Sequence, residues 1–326
     1  MECKRPSGMR VWGAVQECDK MRVSIFRGAG IRETMLQNST EQDPMTASPA
    51  TEIRLAHSPD SDDAFMFYAL ATKKIPTGNI AFAHVLEDIE TLNRKAREEV
   101  YDITAVSFHA YPELADRYIL MSSGASFGDG YGPIVVTRTP LQEKELKGKR
   151  VAIPGKKTTA YLTLMLYERD IETVETRFDE ILDKVVKGEV DAGVVIHEGQ
   201  LTYGNYGLAK MVDLGVWWKD ETGLPLPLGG NVIRRALDPE VIRRADELLR
   251  ESIAYGLDHR HEALDYALQF ARGLAPDTAE HFVSMYVNKW TLDYGEQGRR
   301  AVQTLLDRGF EAGIIPQSIK AEFVGQ

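Results

Sequence analysis

His197 stands directly after the apolar run Val194-Val195-Ile196, with Glu198 beside it and Tyr203 and Tyr206 just beyond. A histidine at the carboxyl end of a buried strand sits where α/β proteins open their clefts, and imidazole titrates closest to neutrality of the side chains. That combination suits a general base, which takes a proton from the substrate in the transition state. A structural histidine fits the same pattern, and spacing alone leaves both readings open. The stretch Thr158-Thr159-Ala160, preceded by Pro154-Gly155-Lys156-Lys157, is the second candidate. A glycine turn, two lysines and a helix start together suit an anion, because the first N–H groups of a helix lack partners and carry the positive end of its dipole. A plain threonine cap with incidental lysines accounts for the same residues equally well.

Other patterns carry less. Gly124-Ala125-Ser126-Phe127-Gly128 has the G-x-S-x-G form of a hydrolase nucleophile elbow. An elbow needs a helix straight after its serine, and Asp129-Gly130-Tyr131-Gly132-Pro133 cannot start one, so the run reads as a Gly-rich lead into an extended segment. Asp60-Ser61-Asp62-Asp63 resembles the start of a calcium loop but has Phe65 at the sixth position, where that loop requires glycine, and no Glu at the twelfth. Acidic residues just ahead of a helix read more simply as caps. His259-Arg260-His261 lacks the i, i+4 spacing that lets two imidazoles share a metal, and reads as a solvated helix surface.

The elements that position these residues alternate. Residues 64–72, 89–98 and 112–117 read as helices between strands at 80–86 and 102–107. A second series follows, with strands at 150–153, 174–178 and 190–196 and helices at 159–169 and 180–187. Such alternation indicates α/β architecture with largely parallel sheets. The two series echo each other: Asp102-Ile103-Thr104-Ala105-Val106-Ser107 runs into a loop as Asp191-Ala192-Gly193-Val194-Val195-Ile196 does, and strands at 118–121 and 208–212 follow. Apolar extended segments at 133–137 and 230–233 connect them, and residues 239–323 read as nearly all helical. The expected organisation is a disordered extension over 1–50, one lobe from 51–137 plus 231–326, and a second from 138–230, with the functional cleft between lobes.

Composition narrows the function classes. A net charge of −10 over 326 residues argues against nucleic acid as a partner, whose phosphates are bound by clustered Lys and Arg. No stretch approaches the ~20 consecutive apolar residues of a bilayer crossing. Residues 1–21 lack an apolar export core, so a cytoplasmic location without membrane attachment is expected. The only cysteines are Cys3 and Cys18, which implies no disulfide framework. Met45 would serve as an alternative start.

Several long motifs in order then carry a resemblance: Ser58-Pro59 with Asp63-Ala64-Phe65-Met66-Phe67-Tyr68-Ala69-Leu70, Val85-Leu86-Glu87-Asp88-Ile89-Glu90-Thr91-Leu92-Asn93, Ile196-His197-Glu198 with Thr202-Tyr203, and Gly223-Leu224-Pro225-Leu226-Pro227-Leu228-Gly229. Together they resemble the 1,4-dihydroxy-6-naphthoate synthases of the futalosine route to menaquinone, from about residue 53 to the end. The resemblance implies a two-lobed fold like class II periplasmic solute-binding proteins. It also implies a cofactor-free lyase that cleaves cyclic dehypoxanthinylfutalosine, a small-molecule substrate, to the dihydroxynaphthoate. The family's proposed base falls on His197 and its substrate contacts on Ala105, Val106, Ser107, Thr159 and Ala160. Asp60-Ser61-Asp62-Asp63 departs from the Cys-Pro-Asn-Asp-like stretch expected there. The rival readings are a chorismate dehydratase of the same pathway and a solute-binding protein for a small carboxylate; the missing export signal counts against the second.

Overall fold

The computed structural model describes residues 50–140, 143–270 and 275–326. The extension expected over 1–50, its Met45 start and both cysteines therefore lie outside the described residues, residue 50 excepted.

The first strand, β1 (Thr51–His57), buries Ile53 and Leu55 and leads into α1 (Ser61–Ala71), buried from Ser61 to Leu70. β2 (Ile80–Leu86) runs parallel to β1, with Thr51 opposite Ile80 and His57 opposite Leu86. α2 (Ile89–Arg97) begins at Asp88, whose carboxylate accepts the Thr91 N–H at 3.0 Å. It returns the chain to β3 (Ile103–Ser107), buried throughout and parallel to β1. Two short strands follow, β4 (Tyr118–Leu120) and β5 (Ser126–Gly128).

The second series comprises β6 (Ile134–Thr137), β7 (Arg150–Ile153), α3 (Thr159–Tyr167), β8 (Glu172–Glu175), α4 (Ile181–Lys187), β9 (Ala192–Val195), α5 (Gly199–Thr202), β10 (Ala209–Asp213) and α6 (Leu214–Thr222). β11 (Leu226–Arg234) crosses back, and α7 (Pro239–Asp258), α8 (Arg260–Ala267), α9 (Pro276–Tyr286), α10 (Lys289–Leu292) and α11 (Gly295–Glu311) follow. None of the helices among the described residues is long and apolar enough to cross a membrane.

One sheet runs β2-β1-β3-β11-β4, with β5 also on β11; the other runs β8-β7-β9-β6-β10. The orders match: a parallel trio, then an antiparallel crossover strand, then the last strand. The sequence echo is thus an echo of topology. The structure differs from the expected lobe boundaries at both crossovers. β6 pairs with β9 and β10 in the second sheet, although 51–137 was expected in the first lobe, and β11 lies wholly in the first sheet, although residues to 230 were expected in the second. An apolar extended segment can complete either sheet, and only the pairing partners decide which.

Helix α1 starts at Ser61, three residues earlier than its apolar run suggests, the Ala64 N–H already bonding the Asp60 carbonyl at 3.0 Å. A helix buried on all sides needs cover on all sides. α7, α8 and α9 supply it, and Phe65, Met66 and Phe67 share a core with Leu248, Leu249 and Ile253. Burial of each such side chain contributes roughly 1.5–3 kcal/mol, which holds the start of α1 in place. α11 packs on both β11 and α3, with Leu305 and Leu306 in one core with Leu162 and Val232.

Candidate functional site

A cavity of about 790 Å³, open mouth included, lies between the two sheets' facing ends. Its walls are the carboxyl end of β3, the amino ends of α1 and α3, and residues 228–231 of β11. Ala105, Val106, Ser107, Thr159 and Ala160 all line it.

Each wall is held by hydrogen bonds. The Ser107 N–H donates to Asn93 Oδ1 (2.9 Å), and Asn93 Nδ2 donates to Ser107 Oγ (3.2 Å). Thr158 caps α3: its hydroxyl accepts the Tyr161 N–H (3.2 Å) and donates to the Gly155 carbonyl (2.7 Å). The Thr159 hydroxyl donates to the Leu228 carbonyl (2.5 Å) and accepts the His109 N–H (3.3 Å). Both hydroxyls are therefore engaged within the protein. The backbone N–H groups of Thr159 and Ala160 have no intrahelical acceptor, and they are what α3 offers an anion. The lysines ahead of them turn elsewhere: Lys157 pairs with Glu113 and Lys156 reaches Glu175 at 3.9 Å. Gly155 is required in this turn, since its φ is +154° and a Cβ would meet Glu90 Oε2 at 2.4 Å.

Two contacts bridge the lobes reciprocally. His109, just past β3, meets Thr158 and Thr159 at the start of α3, its Nδ1 lying 3.3 Å from the Thr158 carbonyl. Glu198, just past β9, meets the start of α1, where the Ser61 hydroxyl lies 3.4 Å from Glu198 Oε1. A strand end of each lobe thus touches the helix start of the other. A third bridge is the Tyr286 hydroxyl donating to Gln200 Oε1 at 2.9 Å.

The α1 side of the cavity is acidic, a feature that cap logic alone did not predict. Asp60, Asp62 and Asp63 line it, and Asp62 and Asp63 are buried. Asp60 makes no side-chain cap bond to the helix. Instead its carboxylate accepts the Ser58 hydroxyl (2.6 Å), and Asp63 Oδ2 accepts the Ser58 N–H (2.8 Å). Burial, reinforced by Asp60, pushes the Asp63 carboxyl up to about 7, against the bond from Ser58. Burial raises Asp62 well above the usual carboxylate range, and Asp63, Asp60 and Glu198 add to it. His109 is held low, about 4, first by burial and then by Lys157, so it is neutral.

His197 follows β9 at the expected strand end but does not line the main cavity. It lines a smaller recess that shares Ser58, Asp60, Ile89 and Ile196 with that cavity. Its Nε2 lies 3.0 Å from the Phe178 carbonyl, which can only accept, so the proton sits on Nε2 and the lone pair on Nδ1. Nδ1 accepts the Gly199 N–H at 3.0 Å, with Glu198 Oε2 at 3.8 Å. Tyr203 and Tyr206 line neither space.

Asn231, which was not singled out from sequence, also lines the cavity, as does Ser126 of the rejected G-x-S-x-G pattern. Ser126 opens β5 and no helix follows it, so it is not an elbow. Asn231 could have been found only through the pairing of β11, which sets it opposite Ala105.

This arrangement has close counterparts. A solved structure from Archaeoglobus fulgidus is 48% identical, with a TM-score of 0.78, over 81% of this chain and 98% of its own. The alkanesulfonate-binding protein of Xanthomonas axonopodis pv. citri, only 14% identical, superposes with a TM-score of 0.65 over 84% of this chain and 98% of its own, showing the periplasmic-binding-protein-like fold. Proteins named 1,4-dihydroxy-6-naphtoate synthase match from Thermus thermophilus, 46% identical over 83% of this chain and 99% of the relative, and from Streptomyces coelicolor, 36% identical over 82% and 96%. The profile of the menaquinone biosynthesis family matches residues 53–311, a span that holds both lobes and the cavity between them, and the chain belongs to that family.

Proposed function

We propose that this chain is the lyase that converts cyclic dehypoxanthinylfutalosine to 1,4-dihydroxy-6-naphthoate, with no metal or organic cofactor. The observation that carries the reading is the 46% identity to the Thermus thermophilus synthase along 99% of that enzyme. These named relatives favour it over a chorismate dehydratase. A cytoplasmic location is part of the same proposal, in keeping with a biosynthetic role.

On this reading the substrate's carboxylate sits at the start of α3, with Thr159 and Ala160 donating through their backbone and Ser107 through its hydroxyl. Ala105 and Val106 form the adjoining wall. His197 is the base; its one available lone pair, on Nδ1, accepts the Gly199 N–H in this structure, and that bond must open before the ring takes the substrate's proton. Removal of a hydroxyl proton from the sugar-derived part lets a carbon–carbon bond break in retro-aldol fashion, and aromatisation of the ring supplies driving force. The sugar-derived part then lies toward Ser58 and Ile196, where recess and cavity meet. Purified chain incubated with cyclic dehypoxanthinylfutalosine, with products followed by mass spectrometry, tests the proposal. Naphthoate formation is expected, and folded protein that forms none overturns it.

A further inference from the structure

A retro-aldol cleavage needs two proton transfers, and His197 accounts for one. As the base takes the hydroxyl proton, that oxygen becomes the carbonyl of the departing fragment. The pair of the broken carbon–carbon bond moves toward the ring carbonyl, whose oxygen gains charge and must receive a proton or a hydrogen bond. Resting on the function proposed above, we infer that Asp63 is the proton donor to this oxygen, its carboxyl presented to the cavity from the first turn of α1. One proton is taken and one given, and no oxidant or reductant is involved.

Geometry places the group. Asp63 is 8% exposed and lines the cavity. Its Oδ2 accepts the Ser58 N–H at 2.8 Å, so in the proposed role Oδ1 is the oxygen that carries the proton to the ligand. Ser58 lines both the cavity and the recess of His197, so donor and base flank one stretch of the site. A second, independent feature marks this cavity as built for polar ligand groups. Asn231, 1% exposed, spends Nδ2 on the Gly124 carbonyl (2.8 Å) while its buried Oδ1 has no partner among the described residues, so a ligand hydroxyl would complete it.

The surroundings keep such an acid protonated near neutrality. Asp60 in the preceding loop bears on Asp63 directly, while Asp62 beside it on α1 is in turn faced by Asp63, Asp60, Glu198 from the second lobe and the Tyr286 phenol from α9. His57 behind the loop is held neutral, near 3, by burial. Crowded, desolvated carboxyls cannot all ionise, and burial with Asp60 brings Asp63 to about 7, the range in which a donor works at neutral pH.

The test is Asp63→Asn, which keeps an acceptor for the Ser58 N–H but has no proton to give. We expect turnover to fall by ~10² to 10⁴ while substrate affinity stays within several-fold, and the basic limb of the kcat profile to vanish. A loop staple without chemistry would instead lower the melting temperature and leave that limb in the residual activity. Near wild-type turnover, or a retained basic limb, overturns the inference. Should the variant not fold, infrared spectra of the wild type decide. A protonated carboxyl C=O component that is present at pH 6 and lost by pH 8, beside any that Asp62 retains, supports the donor, and a carboxyl spectrum unchanged between the two pH values overturns it. A wild type that folds but leaves cyclic dehypoxanthinylfutalosine intact refutes the proposed function, whereas an active wild type with an equally active Asp63→Asn refutes only this inference.

Discussion

Asn93 and Ser107 bond each other twice, Ser107 N–H to Asn93 Oδ1 at 2.9 Å and Asn93 Nδ2 to Ser107 Oγ at 3.2 Å, so one helix side chain fixes both backbone and hydroxyl at the end of β3. With Oγ accepting from Asn93, the Ser107 hydroxyl still has a proton to donate, on the proposed reading to the substrate's carboxylate.

Asn93→Ala removes both bonds and leaves a buried N–H without a partner, a cost of about 1–3 kcal/mol. The variant should melt lower and show a rise in KM larger than its fall in kcat. Steady-state kinetics beside a thermal melt check this, and an unchanged KM would remove Ser107 from substrate binding.

Gly230 backs the cavity wall against the core. A Cβ there would stand 2.4 Å from the Tyr294 hydroxyl and 3.0 Å from Phe108 Cζ, both in buried rings. Gly230→Ala should therefore destabilise by roughly 1–3 kcal/mol through overpacking. Chemical denaturation measures it, and a neutral effect would mean that the rings move aside.

Stability should depend on pH through two groups of opposite sign. Asp63, raised from 3.8 to about 7, contributes stability below pH 3.8 that is lost as pH rises through 7. His109, lowered from 6.5 to about 4, contributes stability above pH 6.5 that is lost as pH falls through 4. Asp63→Asn should thus gain melting temperature over wild type more at pH 8 than at pH 5, and His109→Gln should lose less than wild type between pH 6.5 and 4. Differences that do not vary with pH would contradict both assignments.

The acidic cavity wall raises the question of a cation held there by substrate and protein together. The cofactor-free cleavage proposed here predicts that dialysis against EDTA leaves turnover unchanged. Activity lost on chelation and regained with a divalent metal would contradict it.

Apolar runs were enough to locate β7 at residues 150–153, buried in its parallel sheet, and β2 at 80–86, an edge strand that is only partly buried. The first lysines of the Gly155 turn misled, since a sequence shows charge but not that Glu113 and Glu175 draw it aside. The acids of α1 looked like caps because their burial depends on α7 to α9, more than 170 residues away. Asn231 was invisible for a similar reason: its place on the wall exists only once β11 crosses back beside β3. The hydrogen bonds of His197 to Phe178 and Gly199 likewise depend on loop closure that no spacing encodes.

The most direct measurement of the account is turnover of His197→Asn on cyclic dehypoxanthinylfutalosine across pH. Asparagine keeps a polar group at the recess but cannot take a proton at neutral pH. A positioned base contributes ~10² to 10⁴ in rate, so kcat should fall by that factor with affinity within several-fold, and the acidic limb of the wild-type profile should disappear. A variant that folds as wild type and turns over at a near wild-type rate would contradict the account. It would leave His197 as a structural residue, held between the Phe178 carbonyl and the Gly199 N–H.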